Sequence, residues 1–142
     1  MNKQITRFLI LTLLFISFGC ASISKFDQYA YIQTTSLKVD ALNVMSLATE
    51  EYYKHEKAVY EFETNLQKIY EYEKNRPKNE ITLKLWDKLL NKEGHLLGGF
   101  IEKWKTDTIL NIVYINEKKD QVSEAFDQIA GLESKKIKPS DL

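Results

Sequence analysis

The chain has one cysteine, Cys20, and only two prolines and five glycines among its 142 residues. A lone thiol forms no internal disulfide, so this is not a small stapled scaffold. No run of about 20 apolar residues occurs, which excludes a polytopic membrane protein. Strict apolar/polar alternation of useful strand length is missing, and no repeat period is visible. Neither sign of charge dominates, with 20 basic against 20 acidic side chains. What is present, 44% hydrophobic and 28% charged residues, is the composition of an ordinary globular protein of one domain.

The first twenty positions have their own pattern. Lys3 and Arg7 form a basic head, Phe8 to Phe18 is apolar apart from Thr12 and Ser17, and Gly19-Cys20-Ala21-Ser22 closes the segment with small side chains. This is the order of a secretion signal. As a helix its apolar core is about 16 Å long at roughly 1.5 Å per residue, too short to span a hydrocarbon layer of about 30 Å. The segment is therefore expected to be removed.

These residues resemble a bacterial lipoprotein signal, in which a cysteine preceded by a small residue receives a diacylglycerol thioether and becomes the new amino terminus. Gly19 and Cys20 fit that pattern, whereas Ser17 and Phe18 depart from it, and Gly19-Cys20-Ala21 also reads as small-x-small for ordinary cleavage after Ala21. The resemblance implies lipidation at Cys20, with palmitate-type chains that hold the protein on a membrane. It also implies sorting: an aspartate just after the cysteine would retain the product at the inner membrane, and Ala21 lacks that carboxylate. The implied location is the outer membrane, facing the periplasm. The resemblance stops near residue 22, and the remainder has the character of an uncharacterised bacterial family with no assigned activity.

The exported part, residues 20–142, has eighteen basic and twenty acidic side chains, a net of −2. That balance invites neither nucleic acid nor an anionic lipid surface. Neither Gly nor Pro occurs between Cys20 and Pro77, and Leu37, Ala41, Val44, Ala48, Tyr52, Val59, Phe62, Leu66 and Ile69 recur at helical spacing. One rod from about residue 25 to 75 would be roughly 75 Å long, with an apolar seam that the rest of the chain is too short to cover. Thr49 followed by Glu50 and Glu51 reads as an N-cap, so a hairpin broken near Ala48 to Glu50 is favoured. Pro77 stops its second arm. Asn79 or Thr82 then caps a shorter helix with Ile81, Leu85, Trp86 and Leu89 inward, and Asn91 to Gly94 is a turn. His95 to Trp104 reads as a helical piece interrupted at Gly98-Gly99, and Thr106 to Thr108 as a loop. Asn111 caps a last helix to about Leu132, with Ile115, Val122, Phe126 and Ile129 inward and Gly131 weakening its end. The expected architecture is all-α: signal 1–19, lipidated tether 20–25, helical bundle 26–133 and flexible tail 134–142.

Chemistry-bearing groups are few. Glu51 and His55, four apart, could begin a metal site or orient a general base, but the spacing equally makes an ordinary helix pair. The only other histidine is His95, and H-E-x-x-H, C-x-x-C-H and G-x-S-x-G are missing. Glu61/Glu63 and Glu71/Glu73 are two apart, on different sides of a helix. No catalytic residue, metal or cofactor is assigned. Gly98-Gly99 is expected to let helices approach closely. Among eight tyrosines, Tyr53 and Tyr60 form the expected exposed partner patch for an envelope protein, with Tyr52, Val59 and Phe62 inward. The expected role is a non-catalytic binding or spacer module on the membrane, the alternative a soluble periplasmic bundle holding a small apolar ligand.

Overall fold

The computed structural model describes residues 24–142, so the signal segment and Cys20 lie outside the described residues. Five helices and no strand occur among them: α1 Gln28–Ser46, α2 Glu56–Lys74, α3 Glu80–Leu90, α4 Leu97–Asp107 and α5 Ile112–Glu133. The all-α bundle with a helical hairpin is therefore observed. Asp27 starts α1 by accepting a hydrogen bond from the Ala30 amide (3.0 Å), which satisfies one of the first-turn donors. Asn111 does the same for α5 through the Val113 amide (2.7 Å).

The break between the hairpin arms lies where expected, but Thr49 does not cap α2. Short 3-10 turns, Leu47–Thr49 and Tyr52–Lys54, occupy the segment, and α2 begins only at Glu56 after His55. Tertiary bonds hold this linker out of the helix. The Leu110 amide donates to the Ala48 carbonyl (2.8 Å), the Tyr52 amide to the Thr108 carbonyl (3.0 Å) and the Trp104 indole to the Glu50 carbonyl (2.9 Å).

These contacts set the topology. α1 and α2 run antiparallel, bringing the Tyr72 hydroxyl to Asp27 (2.6 Å). α5 starts beside the hairpin turn and returns along α1, ending with the Glu133 carboxylate against the Asp27 amide. One pole of the bundle thus gathers Ser24 to Asp27, Tyr72 to Lys78 and the end of α5. The opposite pole holds residues 47–55 and 108–113. Leu37, Ala41, Val44, Val59, Phe62, Leu66 and Ile69 fill the interior with Trp86, Phe126 and Ile129. Trp86 meets Phe126 edge-on at 5.8 Å, both with no exposed area. Each such side chain stabilises the fold by about 1.5–3 kcal/mol relative to leaving it exposed.

Three local expectations need correction. Asn79 precedes α3 without capping it, because its side-chain amide is turned to the Glu73 carbonyl (2.9 Å) and carboxylate. α4 runs unbroken through Gly98-Gly99 and on through Thr106 and Asp107; only Thr108, at φ 70, leaves it. The glycines are there for close approach: a Cβ on Gly98 would sit 2.3 Å from the Leu90 carbonyl oxygen, and one on Gly99 1.8 Å from that of Gly94. α5 ends at Glu133, close to the expected Leu132, with Gly131 buried in its last turn. Ile137 folds back over it, its amide donating to the Gly131 carbonyl (3.1 Å).

Candidate functional site

The pole where the chain joins the bundle is built on buried charge. Arg76, two residues past α2, sends Nη1 to Glu73 (2.9 Å) and Glu133 (2.7 Å), and Nη2 to Glu133 (3.0 Å), the Ser24 hydroxyl (2.7 Å) and the Lys25 carbonyl (2.8 Å). The guanidinium fork thus grips Glu133 with both ends and ties the first described residues to α2 and α5. Glu73 is 1% exposed and Glu133 6%. Burial pushes the Glu73 carboxyl above the ordinary glutamate range, and Arg76 and Asn79 offset this only in part. For Arg76, burial works against the charge, but the bonds to Glu133 and Glu73 outweigh it and hold the guanidinium above its ordinary value.

Beside this cluster Tyr72 and the Ala30 amide hold Asp27 below the ordinary aspartate range. A surface groove of about 950 Å³ opens here, lined among others by Lys25, Phe26, Tyr72, Pro77 and Lys78. Phe26 in its lining and Tyr29, edge-on to the lining Tyr72 at 4.9 Å, are about half exposed, as is Ile32, three residues further along α1.

The opposite pole is apolar in a different way. Trp104 is buried there under Tyr52, edge-on at 5.3 Å, while Ile109, Ile112 and Val113 project outward, Val113 at 71% exposure. Tyr53 and Tyr60 are exposed as expected, at 66% and 69%. They do not share a helix face, because Tyr53 belongs to the 3-10 linker and Tyr60 to α2. The Tyr53 hydroxyl donates to Glu51 (3.0 Å).

Glu51 and His55 are not brought together. Glu51 pairs with Lys54 (2.9 Å), and the His55 ring lies 3.2 Å from Glu50 instead, because the helix that would align them has not yet begun. Among the described residues no group of three or more His, Cys, Asp or Glu is arranged to hold a metal ion. Glu71 and Glu73 do point apart, one exposed and one buried.

No sequence motif announces the Arg76 cluster, yet a signal exists. Glu73 continues the buried spacing Val59, Phe62, Leu66, Ile69, and Glu133 continues Val122, Phe126, Ile129. A carboxylate placed in register with a core stripe implies a buried partner. No family model matches the chain, and no curated protein or solved structure matches it either. No described helix is long and apolar enough to cross a membrane.

Proposed function

We propose that the chain is a lipid-anchored envelope protein, acylated at Cys20 and held at the periplasmic face of a bacterial outer membrane. There its helical bundle acts without catalysis, binding an envelope protein or spacing an assembly. The observation that carries this reading is the basic head, short apolar core and Gly19-Cys20 of the amino terminus, followed almost at once by a compact bundle. A cysteine bearing long acyl chains, each methylene contributing about 0.8 kcal/mol, keeps such a domain on its membrane.

Two features of the bundle support a binding role. The interior is filled by Trp86, Phe100, Trp104 and Phe126, so apolar surface is on offer outside the helices rather than between them. This favours anchoring and docking over the carriage of a small apolar ligand within the bundle. The exposed Tyr53, Ile109, Ile112 and Val113 lie at the pole opposite the one where the chain joins, with Tyr60 farther along α2. A partner protein meets them without competing with the anchor.

Metabolic labelling with radioactive palmitate tests the reading. Label is expected in the wild type and lost in Cys20→Ala, and the wild type is expected to need detergent for extraction. A mature chain that begins beyond Cys20, or one soluble without detergent, overturns it.

A further inference from the structure

We propose that the Arg76 pole of the bundle lies flat against the bilayer, so that the domain rests on the phospholipid surface instead of swinging free of it. This rests on the reading of Cys20 as the lipidated residue. Arg76 fixes the Ser24 hydroxyl and the Lys25 carbonyl to α2 and α5. Only four residues of chain separate Cys20 from Ser24, a span of at most about 14 Å whatever its conformation. The pole that carries Ser24 therefore stays within that distance of the acyl chains.

The side chains there suit the position. Phe26, just before α1, and Tyr29 and Ile32 in its first two turns expose 53%, 51% and 47% of their surface. Aromatic rings with one dry and one wet edge settle at the level of lipid headgroups. Lys25, Lys78 and Lys135 are exposed at the same pole, and among the described residues none of them has a carboxylate partner. Lys78 and Lys135 hold the left-handed backbone positions, at φ 59 and 60, that end the local turns and carry these ammonium groups outward. A net charge of −2 over the exported part thus conceals a cationic end whose complement is lipid phosphate. Of the carboxylates at that end, Glu73 and Glu133 are turned inward and held by Arg76, Asp27 accepts from the Tyr72 hydroxyl, and Glu71 is paired with Lys74.

The full-length protein, purified from membranes and reconstituted into vesicles of phosphatidylethanolamine and phosphatidylglycerol, tests this. Acylation consumes the only native thiol, so Ile32→Cys, Tyr29→Cys and Val113→Cys each carry a single fluorophore. Brominated acyl chains are expected to quench the probes at positions 29 and 32 several-fold more than the probe at 113, with circular dichroism unchanged. Equal quenching at all three positions, or none at 29 and 32, in protein whose mass retains the acyl chains overturns the flat orientation and leaves the anchor standing. A mass without acyl chains rejects both.

Discussion

Arg76→Met removes one cation from a cluster whose side chains are 8% (Arg76), 1% (Glu73) and 4% (Glu133) exposed. Two carboxylates are then left in the interior without their counter-charge, and breaking a buried pair in this way costs about 3–5 kcal/mol. Against a total stability of roughly 5–15 kcal/mol for a domain of this kind, that is a large fraction. The expected fall in Tm at neutral pH is about 10–20 °C. The pH dependence identifies the cause. Burial already raises the folded Glu73 carboxyl above the ordinary value of 4.5, and loss of Arg76 raises it further. A group whose folded form holds its proton more tightly makes the protein less stable as pH rises through the interval above 4.5, since the unfolded chain there binds fewer protons. The deficit of Arg76→Met is accordingly greatest at neutral pH and shrinks as the medium is acidified toward that interval. Adding Glu73→Gln and Glu133→Gln is expected to recover much of the loss. Urea unfolding at several pH values measures all three effects. A cost under about 1 kcal/mol at neutral pH, the scale of an exposed pair, refutes the account, as does a cost independent of pH.

Two further outcomes follow from the geometry. Gly98→Ala gains up to about 1 kcal/mol of helix propensity, but it forces a methyl into the Leu90 carbonyl, so a net loss of roughly 1–3 kcal/mol in chemical denaturation is expected; a stabilised variant would contradict the close approach. The Asp27 carboxyl, lowered by Tyr72 and the Ala30 amide, contributes stability above the ordinary aspartate value of 3.8 that is lost as pH falls through its lower folded value. Asp27→Asn should flatten that part of the Tm-against-pH curve, and an unchanged acid limb would remove Asp27 as its source.

The helices were legible because their apolar positions are redundant. Leu37, Ala41 and Val44, or Ile115, Val122, Phe126 and Ile129, mark one face each, and the structure buries all of them. Pro77 and Asn111 act through the local backbone and were equally readable. The start of α2 was not, since it depends on bonds from residues 104, 108 and 110 to residues 48–52, more than fifty positions away. Helix propensity at Thr49 competes with those bonds and loses. The Arg76 cluster failed to register for a related reason: Glu73 and Arg76 look like a surface pair until Glu133, 57 residues beyond Arg76, closes over them. Tyr60 lies outside because Val59 and Phe62 claim the inward face of α2, whereas the exposure of Tyr53 comes from the 3-10 linker and not from that helical pattern.

Ser24 and Glu133 share one guanidinium, at 2.7 and 3.0 Å from the same nitrogen, so the segment that leads into α1 and the end of α5 are a single side chain apart. A unit closed in this way can be spliced as a guest into the surface loop of another protein without prising the host open. For the same reason the segment before α1 and the end of α5 can be joined by a short peptide and the ring cut elsewhere, for instance in the connection around Ile109.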